Sequence, residues 1–206
     1  PSSTASPTGV SPSTVAKPLE EERARFPAPI DLCTLVTAEQ AADIVPGASP
    51  RDGTLFKNGD STGCRWTVEG RGLFVNEQPF GTVYPEMWDG QPIDAHDAYV
   101  NLRNHLHGGS KRLIVWTRPS VGVTQHTQSD QTGSTDVPGL GAEALTYDLL
   151  VRHKEDVIST TVAYRLSNVL LEVTYTDMKD GSPERTRERA LRAARWTAAA
   201  LEARAA

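Results

Sequence analysis

Three short patterns carry residue types that could do chemistry. Gly59-Asp60-Ser61-Thr62-Gly63 matches G-x-S-x-G. A trypsin-like enzyme needs a histidine and an aspartate ahead of that serine, yet the first histidine in the chain is His96. An α/β-hydrolase needs Ser61 on top of a strand-to-helix elbow, whereas the residues from Cys64 onward read as a strand. A turn accounts for the pattern, and a hydrolase using Ser61 stands last of three functional readings. Gly139-Leu140-Gly141-Ala142-Glu143-Ala144 matches a loose dinucleotide fingerprint, but it follows a polar stretch and precedes a strand. A pyrophosphate needs the N-terminus of a helix fed by a strand. His105 and His107, with His96 or His126, are the third pattern. On a helix the first two point about 200° apart, and no acid stands at an interval that completes three ligands. We therefore expect no catalytic residue, no metal and no cofactor.

The two cysteines, Cys33 and Cys64, both sit on locally apolar stretches. Their spacing excludes a CxxC redox pair, and no histidine lies between them to build a zinc site. A disulfide closing a loop of about 30 residues contributes about 3–4 kcal/mol and calls for an oxidising compartment. Two separate buried thiols in a cytosolic protein are the alternative.

These residues must be positioned by a fold of modest size. The chain has 206 residues, 38% hydrophobic, with a formal charge of −5 and a pI near 5.6. That suffices for one domain and a tail. Acidic and basic residues are interspersed, so no basic stripe suits nucleic acid. No run of 18 apolar residues is present, so no segment reads as a membrane-spanning helix.

Residues 1–29 open with PSSTASPTGVSPSTVAKP and read as a Ser/Thr/Pro-rich disordered tether. Such a tether fits a removed export signal and a lipid-bearing cysteine upstream of Pro1, or else a flexible linker; the cysteine pair favours export. Residues 30–206 read as a single α+β domain. Thr37 caps a short N-terminal helix with Gln40 as capping-box partner. Cys64, Trp66 and Val68 share one face of a strand, and Leu73 to Val75 complete a hairpin after Gly70 and Gly72. Asp94 caps a second helix running to Leu106, and Leu113 to Trp116 form a short strand. Nothing from Pro119 to Asp136 is periodic, and it reads as a long polar loop. From Ala144 to Tyr175 a period of two predicts a three-stranded antiparallel meander with one wet face, turning at 154–156 and 166–168. Ser182 and Pro183 open a C-terminal helix with Leu191, Ala194, Ala198 and Leu201 along one side and arginines on the other. The expected fold is an antiparallel sheet of two hairpin or meander units, with two longer helices packed on one face and a short N-terminal helix.

Asp31-Leu32-Cys33-Thr34-Leu35-Val36-Thr37, Cys64-x-Trp66 and Val137-Pro138-Gly139-Leu140-Gly141-Ala142-Glu143-Ala144 together resemble a family of actinobacterial exported lipoproteins with a domain of unknown function. The likeness runs from about Ile30 to the C-terminus. It implies a compact α+β domain tethered outside the cytoplasmic membrane, with Cys33 and Cys64 bonded. Similar domains occur as sensor modules of membrane kinases, and the family supplies no catalytic residues. The loop 119–136 departs from the family pattern.

The function expected from sequence is a non-enzymatic, extracytoplasmic cell-envelope binding protein. An accessory protein regulating a membrane sensor kinase is the alternative. The connection 78–92 carries Phe80, Tyr84, Met87 and Trp88. Large apolar groups in a connection cover the sheet edge or bind something. If they bind, the site is a cleft formed by Tyr84, Trp88, Tyr99 and Trp116 beside the loop that follows.

Overall fold

The computed structural model describes residues 25–26, 30–52, 63–77, 94–118, 123–152, 156–178 and 182–205. For 51–52, 112–118 and 123–127 it describes the backbone alone. Within these residues a 3₁₀ turn at Leu32–Thr34 leads to helix α1 (Ala38–Ile44), and strands β1 (Pro50–Asp52), β2 (Gly63–Val68) and β3 (Arg71–Glu77) follow. Helix α2 (Ala95–Leu106) precedes strands β4 (Ser110–Arg118), β5 (Val123–Gln131), β6 (Thr135–Asp136), β7 (Glu143–Arg152), β8 (Val157–Leu166) and β9 (Val169–Asp177). Helix α3 (Pro183–Ala205) closes the chain. The sheet is antiparallel, ordered β1-β2-β3-β9-β8-β7-β5-β4, with β6 paired to β7. The α+β class and the antiparallel sheet are those expected from sequence.

Local signals set the ends of the elements. Thr37 and Gln40 exchange capping-box hydrogen bonds of 3.2 and 2.9 Å. Asp94 accepts the Asp97 backbone N–H at 2.8 Å. Ser182 donates its hydroxyl to Glu184 and accepts from the Thr186 backbone, so Pro183 begins α3 where its missing N–H costs nothing.

Three expectations need correction. Both longer helices were expected on one face, but the alternation along the central strands divides them. Val162 and Tyr164 of β8, with Leu171, Val173 and Tyr175 of β9, join Trp66, Leu73 and the alanine stripe of α3 in the main core. Ala163, Leu170 and Leu145, one residue out of phase, meet Ala98, Tyr99 and Leu106 of α2 on the other face. The meander therefore lacks a fully wet face, and every residue from Thr160 to Ser167 is buried. Second, much of the expected loop 119–136 is strand. β5 pairs with β4 along its length and with β7 from Gln128 to Gln131. VTQHTQSDQ has no apolar residue after Val123, so it lacks the period of two, and its pairing shows in the backbone register. Third, the domain begins before Ile30. Phe26, assigned to the tether, is 5% exposed in the main core. The Asn168 side chain accepts from its N–H at 3.1 Å and donates to its C=O at 2.8 Å. Residues 1–24 and 53–62, with Ser61 among them, lie outside the described residues.

The turn Val137–Ala142 that resembled a dinucleotide loop has a structural reason for its glycine. Gly141 takes φ +62°, and a Cβ there would meet the Arg165 carbonyl oxygen at 2.4 Å, while Gly139, at φ +73°, faces open space. Gly141→Ala should therefore cost about 2–3 kcal/mol, against about 1 kcal/mol for Gly139→Ala. Urea denaturation of the two variants checks the difference, and equal losses would contradict the contact.

Candidate functional site

The structure places the four residues of the expected cleft as follows. Tyr84 and Trp88 lie outside the described residues. Tyr99 is 4% exposed, packed with Leu106, Leu145, Ala163 and Leu170 beneath α2. Burial, with Asp136 nearby, pushes its phenol above the ordinary value. Trp116 stands on β4 opposite Gln125, three residues beyond the last pairing of β5 with β7 at Gln128 and Arg152. Along the strands, the level of Trp116 is therefore about ten residues from Leu145, roughly 33 Å at 3.3 Å per residue. Tyr99 is a core residue at one end of the sheet, and Trp116 stands toward the other, where among the described residues β5 alone pairs with β4.

The face carrying α2 has a second, more open part. The register sets Tyr147, Thr161, Thr174 and Phe74 in one cross-strand row, and Leu149, Ser159, Thr176 and Gly72 in the next. Thr161 and Thr174 share a hydroxyl hydrogen bond of 2.9 Å, and Ser159 and Thr176 one of 2.8 Å. The Phe74 ring lies over Gly72, whose absent side chain gives it room: a Cβ would stand 2.7 Å from Phe74 Cε2. Tyr147 and Phe74 are half-buried at either end of this strip. Its chemistry is that of a surface with apolar rings and hydroxyls. Among the described residues, Ser159 Oγ meets the Thr176 hydroxyl rather than a base. Phe74 lies outside the four residues expected from sequence, although its alternation with Leu73 and Val75 places it on the face away from the main core.

At the α2 end of the same face, Glu143 is a hub. His96 Nδ1 donates to its Oε2 at 2.9 Å and Arg165 Nε to the same oxygen at 2.6 Å, while Arg165 also donates to the Ser167 carbonyl at 3.0 Å. Arg103 and Asp136 pair at 3.1 Å on the flank. These contacts tie α2 to β6, β7 and β8. His105 and His107 are exposed at the far end of α2, and the described residues hold no group of three His, Cys, Asp or Glu able to take a metal ion.

On the opposite face, the arginines that crowded the C-terminal helix in sequence hold that helix down. Arg189 donates to the Tyr175 hydroxyl at 2.5 Å and to buried Asp177 at 3.4 Å, and Arg71 meets Asp177 at 3.3 Å. Arg187 pairs with Asp148, which also accepts from Thr160 at 2.7 Å. Arg192 pairs with Asp43 and Arg204 with Thr34. Burial pushes the Tyr175 phenol up, although Arg189 acts against it.

The Cys33–Cys64 disulfide is present, with a Cα–Cα distance of 5.1 Å and a sequence separation of 31. No protein-family model matches the sequence, and no curated protein matches it. Among solved structures, the extracellular domain of PknH from Mycobacterium tuberculosis is similar to this chain at 11% identity and a TM-score of 0.47, covering 91% of this chain and 98% of that one. A likeness of that depth assigns no activity or partner, and the lipoprotein resemblance stays a reading of the sequence.

Burial alone would push Glu143 up, but the hydrogen bonds from His96 and Arg165 outweigh it and hold the carboxyl below its usual range. Its stabilisation is therefore full above the unfolded value, about 4.3, and lost as pH falls through the lower folded value. Glu143→Gln should cost about 1–2 kcal/mol at pH 7 and flatten that part of the acid limb. Denaturation across pH 2–7 checks this, and parallel curves for the two proteins would contradict it.

Proposed function

We propose that this chain is an extracytoplasmic, non-catalytic binding domain of the cell envelope. The observation that carries the proposal is the disulfide. Cys64 is 2% exposed within the main core, so the bond is an integral part of the packing rather than a surface accident. A bond of that kind is built where the compartment oxidises thiols. The binding reading draws on the strip between Tyr147 and Phe74, which offers rings and hydroxyls, and on carboxylates engaged in structural pairs. The ligand is an envelope component. A second reading, regulation of a membrane sensor kinase, draws on the resemblance of Cys64-x-Trp66 and its companion motifs to domains that serve as sensor modules.

Native mass spectrometry of the domain recovered from its own envelope should show a bound adduct, and Phe74→Ala should lose it. An unliganded mass, with co-purification of a sensor ectodomain, would favour the regulatory reading. An unliganded mass with neither partner nor ligand recovered would contradict both.

A further inference from the structure

The two edges of the sheet are built differently. β1 has three residues and opens on Pro50, which blunts its pairing capacity. β4 has nine residues, with no proline, glycine or acid among them, and among the described residues no strand pairs with its outer side. α2 and α3 pack on β7, β8 and β9, away from this edge. Among the described residues, β4 from Ile114 to Arg118 pairs only with the part of β5 beyond its pairing with β7. A two-stranded ribbon is marginally stable by itself and gains from a third strand. Its outer side presents alternate N–H and C=O groups.

We propose that β4 pairs antiparallel with β4 of a second copy of this chain, across a two-fold axis at Ile114. The order of residues in SKRLIVWTR selects that partner and that register. Centring at Ile114 pairs all nine positions: Leu113 with Val115, Arg112 with Trp116, Lys111 with Thr117 and Ser110 with Arg118. No cation then stands directly opposite another, and the apolar residues meet at the centre. Moving the axis one residue toward the C-terminus sets Arg112 against Arg118, and moving it half a residue sets Lys111 against Arg118, both like-charged. A one-residue move the other way loses a pair at each end. The pairing is isologous, so it closes as a dimer and leaves no edge at β4 for further addition.

Sedimentation equilibrium of the protein should give a monomer–dimer equilibrium, and Ile114→Lys, which sets two ammonium groups opposite each other, should weaken it by at least about tenfold. Far-UV circular dichroism and the intact Cys33–Cys64 bond report whether that variant folds. Independently of it, Ile114→Cys should cross-link two copies on mild oxidation, because directly opposed residues lie within disulfide reach; Arg112→Cys, whose partner is Trp116, should not. A wild-type protein that stays monomeric at its solubility limit overturns the proposal. A folded Ile114→Lys variant with unchanged dimer affinity, or equal cross-linking at 112 and 114, overturns it as well.

Discussion

A covalent bond between the first turn of the domain and its second strand is the constraint on which the remaining packing depends. Cys33 belongs to the 3₁₀ turn and Cys64 to the buried face of β2. The bond fixes the segment from Ile30 to Val45 over the sheet, so that Leu32, Leu35, Ile44 and Val45 share a core with Trp66, Leu73 and Val75. The loop it closes includes α1 and β1, neither long enough to be stable alone. Without the bond, ordering those residues would rest on burial, on the pairing of β1 with β2 and on the contacts of Asp43 and Thr34 with α3.

α3 completes the same core. Its stripe of Ala190, Ala193, Ala194 and Ala198 is small enough to let the helix lie close on β8 and β9. Tyr164 reaches across to donate to Thr197 at 2.8 Å. Around this apolar contact, Arg187, Arg189, Arg192 and Arg204 reach acids or hydroxyls on β7, β9, α1 and the first turn. The disulfide-bound segment and α3 thus brace each other, through Asp43 and Thr34, on one face of the sheet. The other face is left to α2 at one end and to the strip between Tyr147 and Phe74 at the other.

Features set by a few neighbouring residues were legible in the sequence. The caps at Thr37, Asp94 and Ser182, the hairpin at β2 and β3, and the strands β8 and β9 follow from local propensity and a period of two. What escaped depends on partners far away in the chain. Phe26 is held by Asn168, 142 residues on, and a lone aromatic between two prolines carries no sign of that. β5 has no apolar residue after Val123, so its side chains do not announce it. The side taken by α2 is decided by whether Ala163 and Leu170 or their neighbours meet it, and both phases of those strands are apolar enough to accept a helix. Of the expected cleft, Tyr99 carried the apolar period of its helix, and that period proved to describe its place in the core.

A place in the cell envelope depends most directly on the oxidation state of the two cysteines in the cell. The decisive measurement traps thiols by alkylation at the moment of lysis and weighs the intact protein with and without prior reduction. The predicted result is no alkylation before reduction and two additions after it. Two additions without reduction would remove the bond, the compartment it implies and the reading of this chain as an envelope domain.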